Sequence, residues 1–255
     1  MTTPDYLNRS NKPRLAYHRF AGEGDGALLP GIVFLGGFRS DMTGTKAQFL
    51  QEWAKERGRA FLRMDYSGHG QSDGDFLDHC IGDWAEDAVT VITSVTEGPQ
   101  VLVGSSMGGW ISLLLARQMP ERIAGLIGIA AAPDFTEDSM WAGFSDEQRA
   151  TLTETGRLDL PSDYSDDPYP ITKRLIEDGR ENLVLRTPLN LPFPVRLLQG
   201  TADTDVRPEV ALRLLDHLVS PDARLTLVKD ADHRFSEPSE LSLIGKTLHG
   251  ILQRT

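Results

Sequence analysis

Five residues from Gly104 to Gly108 carry the pattern that points to covalent chemistry. They read Gly-Ser-Ser-Met-Gly, with one glycine two residues before Ser106 and another two residues after it. A serine on a sharp turn between a strand and a helix needs this spacing, because a side chain at either glycine would collide with the neighbouring strand or helix. The pattern predicts that Ser106 is a nucleophile that attacks a carbonyl carbon.

The segments on both sides of Ser106 favour such a turn. Residues 100–103 form a short apolar run typical of a buried parallel strand, and residues 110–116 favour a helix packed on that strand. The turn would aim the N–H of Met107 at the oxygen that becomes negative during acyl transfer. A glycine-rich turn without chemistry is the alternative interpretation of the same residues.

A serine nucleophile needs a base to take its proton and an acid to orient that base. Asp203 follows the predicted strand 195–199, and His233 follows the predicted strand 225–228. Both residues therefore fall on loops at strand ends, after the serine in the chain. We expect Asp203 to orient His233 and His233 to activate Ser106.

Other residues compete for these two roles. Asp205 shares the loop of Asp203, but a lone aspartate on a loop is more often a turn or cap residue, so we favour Asp203. Asp232 adjoins His233, and we expect its side chain to point away from the working direction of the ring. His69 lies between two glycines on a loop that precedes the serine, so its order in the chain does not fit. The remaining histidines fall on predicted strand or helix surfaces or ends: His18, His79, His217 and His249.

Acyl transfer also needs a second N–H donor to hold the developing oxyanion. The loop Gly36-Gly37-Phe38 comes directly after the predicted strand 32–35. We expect the N–H of Phe38 to pair with that of Met107 as the oxyanion hole. A plain Gly-Gly turn is the alternative.

Strands alternate with helices over most of the chain. Such alternation predicts a mainly parallel sheet with helices on both faces. The alternation is interrupted after residue 133. Before this break the predicted strands are 15–20, 32–35, 60–66, 101–104 and 123–131, and the predicted helices are 45–57, 81–95 and 107–119. After the break they are strands 195–199 and 225–228 and helices 208–218 and 241–252.

The break predicts an insertion at residues 134–194, between two core parts, 1–133 and 195–255, that form one domain. The insertion is acidic, is rich in Pro, Ser and Tyr over 162–170, and shows weak helical segments near 147–155 and 171–178. Its place after the strand that follows the Ser106 helix is typical of a lid. The alternative is a long surface segment that has no role in substrate choice.

Apolar residues in or near this insertion are candidates for an acyl pocket. The alternative is that such residues pack the lid onto the core. The candidates are Phe135, Trp141, Phe144 and Leu175.

Composition excludes several classes of protein. The chain has 255 residues, 40% of them hydrophobic, and a formal net charge of -11, which argues against nucleic-acid binding. One cysteine, Cys80, excludes an intramolecular disulfide and a multi-cysteine metal site. The apolar run 127–132 is too short to span a membrane, and residues 1–10 are polar. We therefore expect a cytoplasmic protein.

Four stretches together resemble the α/β-hydrolase superfamily, and within it the abhydrolase-domain palmitoyl-protein thioesterases, also known as acyl-glucuronide esterases. The stretches are 35–46, 65–74, 103–110 and 230–234, of which Asp-Tyr-Ser-Gly-His-Gly-Gln-Ser-Asp-Gly and Ser-Ser-Met-Gly-Gly-Trp are the most specific. The resemblance implies the α/β-hydrolase fold and the roles of nucleophile, acid and base for Ser106, Asp203 and His233.

The chain departs from these relatives at two points. It has Gly36-Gly37 where many members of the superfamily have His-Gly. Its first residues also lack the Arg-rich amphipathic pattern of a mitochondrial transit peptide, so we expect a bacterial-type relative without that targeting.

These observations predict a serine hydrolase of carboxylic esters or thioesters that forms an acyl-enzyme and requires no metal or organic cofactor. Its partner would be a small-molecule or acylated-protein substrate, with long-chain acyl thioesters implied by the resemblance. Two alternatives stay open: an acyltransferase that uses the same site, and a catalytically silent binding protein with the same fold.

Overall fold

The computed structural model describes residues 3–160 and 169–254. The stretch 162–170 singled out above therefore lies outside the described residues, except for Tyr169 and Pro170. Strands in the described residues are β1 Asp5–Arg9, β2 Lys12–Phe20, β3 Gly31–Leu35, β4 Phe61–Met64, β5 Gln100–Ser105, β6 Ile123–Ile129, β7 Arg157–Leu160, β8 Tyr169–Thr172, β9 Leu189–Asn190, β10 Val195–Gly200, β11 Leu218–Val219 and β12 Ala223–Val228.

Seven α-helices connect and cover these strands in the same part of the chain. They are α1 Thr45–Lys55, α2 Ile81–Val95, α3 Met107–Gln118, α4 Asp146–Thr155, α5 Lys173–Glu181, α6 Pro208–His217 and α7 Pro238–Leu252. None of the described helices is long and apolar enough to cross a membrane.

Eight strands form one central sheet in the order β1-β2-β4-β3-β5-β6-β10-β12. Strand β2 runs antiparallel to both of its neighbours, and the remaining pairs are parallel. The carboxyl ends of the parallel strands therefore meet at one edge, where loops from distant parts of the chain come together.

Helices cover both faces of the sheet, because the central strands are apolar on both sides. Trp84 of α2 and Trp110 of α3 are fully buried against one face. Leu50 of α1 and Leu248 of α7 are fully buried against the other. The predicted α/β-hydrolase fold class is confirmed.

The observed elements differ from the predicted ones where the sequence gives weak signals. Strand β1 was not predicted, because its sequence Asp-Tyr-Leu-Asn-Arg is largely polar and it pairs with β2 at the sheet edge. The strand predicted to reach Ala131 ends at Ile129, and Ala130 has φ 45. The last helix begins at Pro238, which fits the first turn because proline lacks the N–H that goes unbonded there.

Residues between β6 and β10 add a small structure of their own. A π-helical turn, Thr136–Trp141, is followed by α4 and by β7 and β8, which pair with each other and not with the central sheet. Buried Asp134 ties this segment together by accepting the N–H groups of Val184 (2.8 Å) and Leu185 (2.9 Å). That the segment 134–194 acts as a lid stays a prediction.

The loops after β3 and β4 pack on each other at the carboxyl edge. Buried Asp65 accepts the N–H of Met42 at 2.6 Å and that of Gln71 at 2.8 Å. His69 accepts the N–H of Arg39 through Nε2 at 3.2 Å, while its Nδ1 lies 3.2 Å from the carbonyl oxygen of Ser67. Burial lowers the pKa of His69 to about 4, so the ring is neutral and can accept this hydrogen bond at neutral pH.

Glycine at 108 is required by close packing of α3 on β3. A Cβ at Gly108 would lie 2.0 Å from the carbonyl oxygen of Leu35, whereas a Cβ at Gly250 of α7 meets nothing within 4 Å. We expect Gly108→Ala to lower the free energy of unfolding by about 2 kcal/mol or more, measured by urea denaturation. Gly250→Ala is the matched helical control and should leave stability unchanged or raised. Equal stability of the two variants would contradict this packing.

Neutral, buried His69 should make stability depend on pH. Its pKa in the folded protein is about 4 against an ordinary value of 6.5. Between these values the unfolded chain binds a proton that the folded chain does not, so stability falls as pH falls. We expect the stability advantage of the wild type over His69→Gln to shrink by about 2 kcal/mol from pH 8 to pH 4.5 in urea denaturation. Parallel pH curves for the two proteins would contradict it.

Candidate active site

Ser106 lies on a strained turn between β5 and α3. Its backbone has φ 54 and ψ -119, a conformation that favours glycine. Three hydrogen bonds hold it there: its N–H donates to Ile129 O at 2.9 Å, and its carbonyl oxygen accepts the N–H groups of Gly109 (2.9 Å) and Ala132 (3.1 Å). The end of β6 and the first turn of α3 thus fix the hydroxyl at the carboxyl edge of the sheet.

The structure brings Ser106, His233 and Asp203 into one hydrogen-bonded chain. His233 Nε2 lies 3.1 Å from Ser106 Oγ, and His233 Nδ1 lies 2.9 Å from Asp203 Oδ2. The carboxylate can only accept, so Nδ1 carries the proton and Nε2 is left to accept from the serine hydroxyl. This is the protonation state that a general base for Ser106 requires.

Asp203 is buried at the end of β10 and is surrounded by donors. Gln199 Nε2 donates to Oδ2 at 2.9 Å, and the N–H groups of Val206 (2.8 Å) and Asp205 (3.0 Å) donate to Oδ1. Burial alone would raise the pKa of Asp203, but the hydrogen bonds from His233 and Val206 outweigh it and lower this pKa. Asp203 is therefore ionised at neutral pH.

Asp205 and Asp232, the two alternatives to Asp203, form hydrogen bonds within their own loops. Asp205 supplies its N–H to Asp203, as described above, and its side chain is not the one bonded to His233. Asp232 accepts the N–H of Phe235 at 3.2 Å. Among the rival bases, His69 is committed to the Arg39 N–H.

The loop after β3 places Phe38 beside Ser106. A Cβ at Gly37 would lie 3.4 Å from Ser106 Cβ, which is ordinary van der Waals contact, so this loop lies against the serine. The N–H groups of Phe38 and of Met107, the first residue of α3, have no acceptor within residues 3–160 and 169–254. Both donors are thus available for an oxyanion.

Aromatic packing fixes the position of Phe38. Its ring makes contacts at centroid distances of 4.9–5.7 Å with four aromatic side chains, two from the core and two from the segment between β6 and β10. These contacts hold the loop against Ser106 because each ring is itself packed. The four are Phe76, Trp84, Phe135 and Tyr169.

Ser106 and His233 open into a cavity of about 1010 Å³. Phe135, Met140 and Tyr169 contribute apolar walls from the segment between β6 and β10. Seven charged residues also line the cavity: Arg39, Asp41, Lys46, Asp205, Asp232, Arg234 and Glu237.

Three residues predicted to line an acyl pocket do not border this cavity among the described residues. Phe144 and Leu175 are buried in the core cluster. Trp141 instead packs beneath two guanidinium groups, with Arg180 at 4.6 Å and Arg149 at 5.6 Å from its ring centroid. The contacts of all three fit the alternative stated above, in which they seat the segment on the core. Phe135, also a candidate, does line the cavity.

Two supporting residues escaped sequence reasoning. Gln199 is a polar residue at the end of an apolar strand, which is a usable signal, and it holds Asp203. Lys46 of α1 donates to the carbonyl oxygen of Arg234 and lies 3.5 Å from Ser236 Oγ, so it braces the His233 loop. Burial is the main reason why the pKa of Lys46 falls to about 8.

Within the described residues, no three His, Cys, Asp or Glu side chains are grouped to hold a metal ion.

Known proteins share this fold and much of this sequence. The chain is 38% identical over 250 residues to the mouse protein named palmitoyl-protein thioesterase ABHD10, mitochondrial, covering 98% of this chain and 82% of the relative. The human protein of the same name is 34% identical, with 99% and 81% covered.

Solved structures agree with these sequence relatives. A putative hydrolase from Agrobacterium vitis S4 superposes with a TM-score of 0.92 at 39% identity, covering 99% of this chain and 98% of that chain. The α/β-hydrolase domain-containing protein 10 from mouse gives a TM-score of 0.90 at 36% identity, with 99% of both chains covered.

A family model described as serine aminopeptidase, S33, matches residues 31–174, which is more than half of the chain. This segment includes β3, the Ser106 turn and much of the segment between β6 and β10. The chain therefore belongs to this family of α/β-hydrolase serine hydrolases, and it is an ester-cleaving hydrolase.

Proposed function

We propose that this enzyme cleaves carboxylic esters or thioesters through an acyl-enzyme intermediate on Ser106. The observation that carries the proposal is the continuous hydrogen-bonded chain from Ser106 Oγ through His233 to Asp203. Such a chain activates a serine hydroxyl, which is a weak nucleophile at its own pKa.

Each residue has one role in this mechanism. Ser106 Oγ attacks the carbonyl carbon while His233 Nε2 takes its proton, and the N–H groups of Phe38 and Met107 stabilise the negative oxygen. His233 then gives the proton to the leaving alcohol or thiol, and the acyl group stays on Ser106. Water, activated by the same histidine, releases the acid. Asp203 stays ionised throughout and holds the imidazole in the required tautomer.

The site supports hydrolysis better than the two alternatives. The His233 side chain is 23% exposed, so water can reach the base, whereas acyl transfer needs water to be excluded. A silent binding protein has no need of a base, an ionised acid and two unbonded N–H donors around a strained serine.

Acyl-protein thioesters are the proposed substrate class, since the relatives are named palmitoyl-protein thioesterases. The apolar walls formed by Phe135 and Met140 support an acyl group in the cavity. Acyl-glucuronide esters are a second candidate class, implied by the resemblance. We propose a cytoplasmic location from the lone cysteine, whereas the relatives' names place those proteins in mitochondria.

Loss of the nucleophile or base should abolish turnover without unfolding the protein. We expect Ser106→Ala and His233→Gln to lower kcat for p-nitrophenyl acetate by roughly 10⁴-fold, and Asp203→Asn by roughly 10²- to 10⁴-fold. A fluorophosphonate probe should label the wild type and not Ser106→Ala. His249→Gln, at an exposed position of α7, is the matched control and should retain wild-type turnover. Unchanged turnover in Ser106→Ala would remove Ser106 as the nucleophile.

The substrate class can be read from relative specificity. We expect kcat/KM to rise with acyl length and to be higher for acyl-cysteine thioesters than for p-nitrophenyl esters with the same acyl group, because the apolar cavity walls bind methylene groups. A flat profile without a thioester preference would refute the acyl-thioesterase proposal while leaving the hydrolase mechanism in place.

A further inference from the structure

Arg39 presents to the active-site cavity a charge that no carboxylate of residues 3–160 and 169–254 neutralises. It is exposed, follows the proposed oxyanion residue Phe38 directly, and lines the same cavity as Ser106. Within the described residues, its guanidinium group has no carboxylate within 4.0 Å and no hydrogen-bond acceptor, whereas Arg14, for example, binds Asp73. A cation at the wall of a substrate cavity without a protein partner is suited to bind an anionic group of the substrate.

The Arg39 side chain is already held in place. Its guanidinium carbon lies 5.1 Å from the ring centroid of Tyr169 and 5.6 Å from that of Phe76. Its backbone has φ 56, and its N–H is bound to neutral His69. Because backbone and side chain are ordered before a ligand arrives, binding loses little further conformational entropy.

Other charged residues that line the cavity are engaged by their own loops. Lys46 is bonded to Arg234 O, as described above, and Arg234 itself has a partner. Two carboxylates are engaged in the same way: Asp41 accepts the Thr43 N–H at 2.6 Å, and Asp232 accepts the Phe235 N–H. Glu237 is the N-cap residue of α7, where its N–H donates to Glu240 Oε2 at 2.8 Å. Asp205 also has a partner. Within the part of the chain that the structure describes, the Arg39 guanidinium by contrast contacts only aromatic faces.

Sheet order indicates which half of the substrate Arg39 meets. Strand β3, which leads to Arg39, lies on one side of β5 and the Ser106 turn, and the strands that lead to Asp203 and His233 lie on the other. The leaving group must stay beside His233, because His233 gives it a proton. Arg39 therefore faces the acyl half of the substrate.

We propose that Arg39 binds a carboxylate at the far end of the acyl group, so that the enzyme favours esters or thioesters of dicarboxylic acids over neutral acyl groups of equal length. This inference rests on the proposed function, because it assigns the acyl half from the roles of Ser106 and His233. A guanidinium group recognises a carboxylate through two parallel N–H···O bonds, which the neutral methyl ester of that carboxylate cannot match.

The test compares substrates that differ in this one charge. A p-nitrophenyl half-ester of adipic acid and its methyl-capped neutral form have the same acyl backbone, and the series from glutaric to suberic acid varies its length. For the wild type we expect kcat/KM to favour the anionic member at least tenfold at the best length, through a lower KM. The preference should weaken as salt rises.

Substitution of Arg39 should change this ratio and not merely total activity. We expect Arg39→Gln to lower the anionic-to-neutral ratio of kcat/KM at least tenfold, with Arg39→Lys intermediate because it keeps the charge without the planar fork. Arg19→Gln removes an equal charge from an exposed position on β2 outside the cavity, and it should keep the wild-type ratio. If Arg39 merely clamped Tyr169 against Phe76, Arg39→Gln would lower both rates equally, and that result would overturn the proposal.

A binding measurement separates this proposal from the hydrolase mechanism. Calorimetry with adipate should give at least tenfold tighter binding to Ser106→Ala than to the double variant Ser106→Ala/Arg39→Gln. If the wild type showed no esterase turnover while adipate binding still depended on Arg39, the carboxylate site would be supported and the mechanism would be refuted. Esterase turnover with no carboxylate preference, and adipate binding independent of Arg39, would refute the carboxylate site and leave the mechanism standing.

Discussion

The strained turn at Ser106 is the constraint on which the rest of this structure depends. A non-glycine residue at φ 54 is unfavourable on its own and persists only where its surroundings over-determine it. Here the surroundings are the ends of β5 and β6 and the first turn of α3, linked by hydrogen bonds through both the N–H and the carbonyl oxygen of Ser106. The turn also requires glycine at 108. Helix α3 packs so closely on β3 that a Cβ at this position would lie 2.0 Å from the carbonyl oxygen of Leu35. A single backbone conformation therefore joins the ends of β5 and β6 to the first turn of α3 and sets the position of the hydroxyl.

The structure brings Ser106, Asp203 and His233 together, as expected from local pattern and chain order. The glycine spacing around Ser106, and the position of Asp203 and His233 directly after apolar strands, follow from elements that can be read in isolation. Sequence reasoning was less successful for the segment between β6 and β10, because Trp141, Phe144 and Leu175 are apolar residues whose burial depends on which helix they meet. An apolar side chain looks the same in sequence whether it lines a cavity or seats a segment on the core. His69 illustrates a related limit: it was weighed as a base, but its neutral ring holds the loop after β3.

The loop after β3 is a second strained element, and it is stabilised by a different means. Arg39 has φ 56, yet the loop has no strand pairing of its own at this point. Its conformation is held by the Phe38 ring among four aromatic side chains and by the Arg39 N–H bound to His69. Two of the four rings, Phe135 and Tyr169, come from the segment between β6 and β10. The geometry of the proposed oxyanion donor Phe38 is therefore coupled to that segment, so the residues that border the substrate also help to order the site.

The net charge of the chain and the local charge of Arg39 have opposite effects on an anionic substrate. A net charge of -11 gives the protein a negative field that disfavours anionic ligands at long range. Mobile ions screen that field over about 10 Å at 0.1 M salt, whereas a guanidinium group in contact with a carboxylate acts within about 3–4 Å. The long-range term thus lowers the rate of encounter with an anionic substrate, and the short-range term slows its departure. Because the two act at different distances, an acidic protein can still select a carboxylate, provided that the cation is held in place and is not neutralised by its own carboxylates. Stacking on Phe76 and Tyr169 orients the Arg39 guanidinium group and leaves its N–H donors free, and no carboxylate of the described residues lies within 4.0 Å of it.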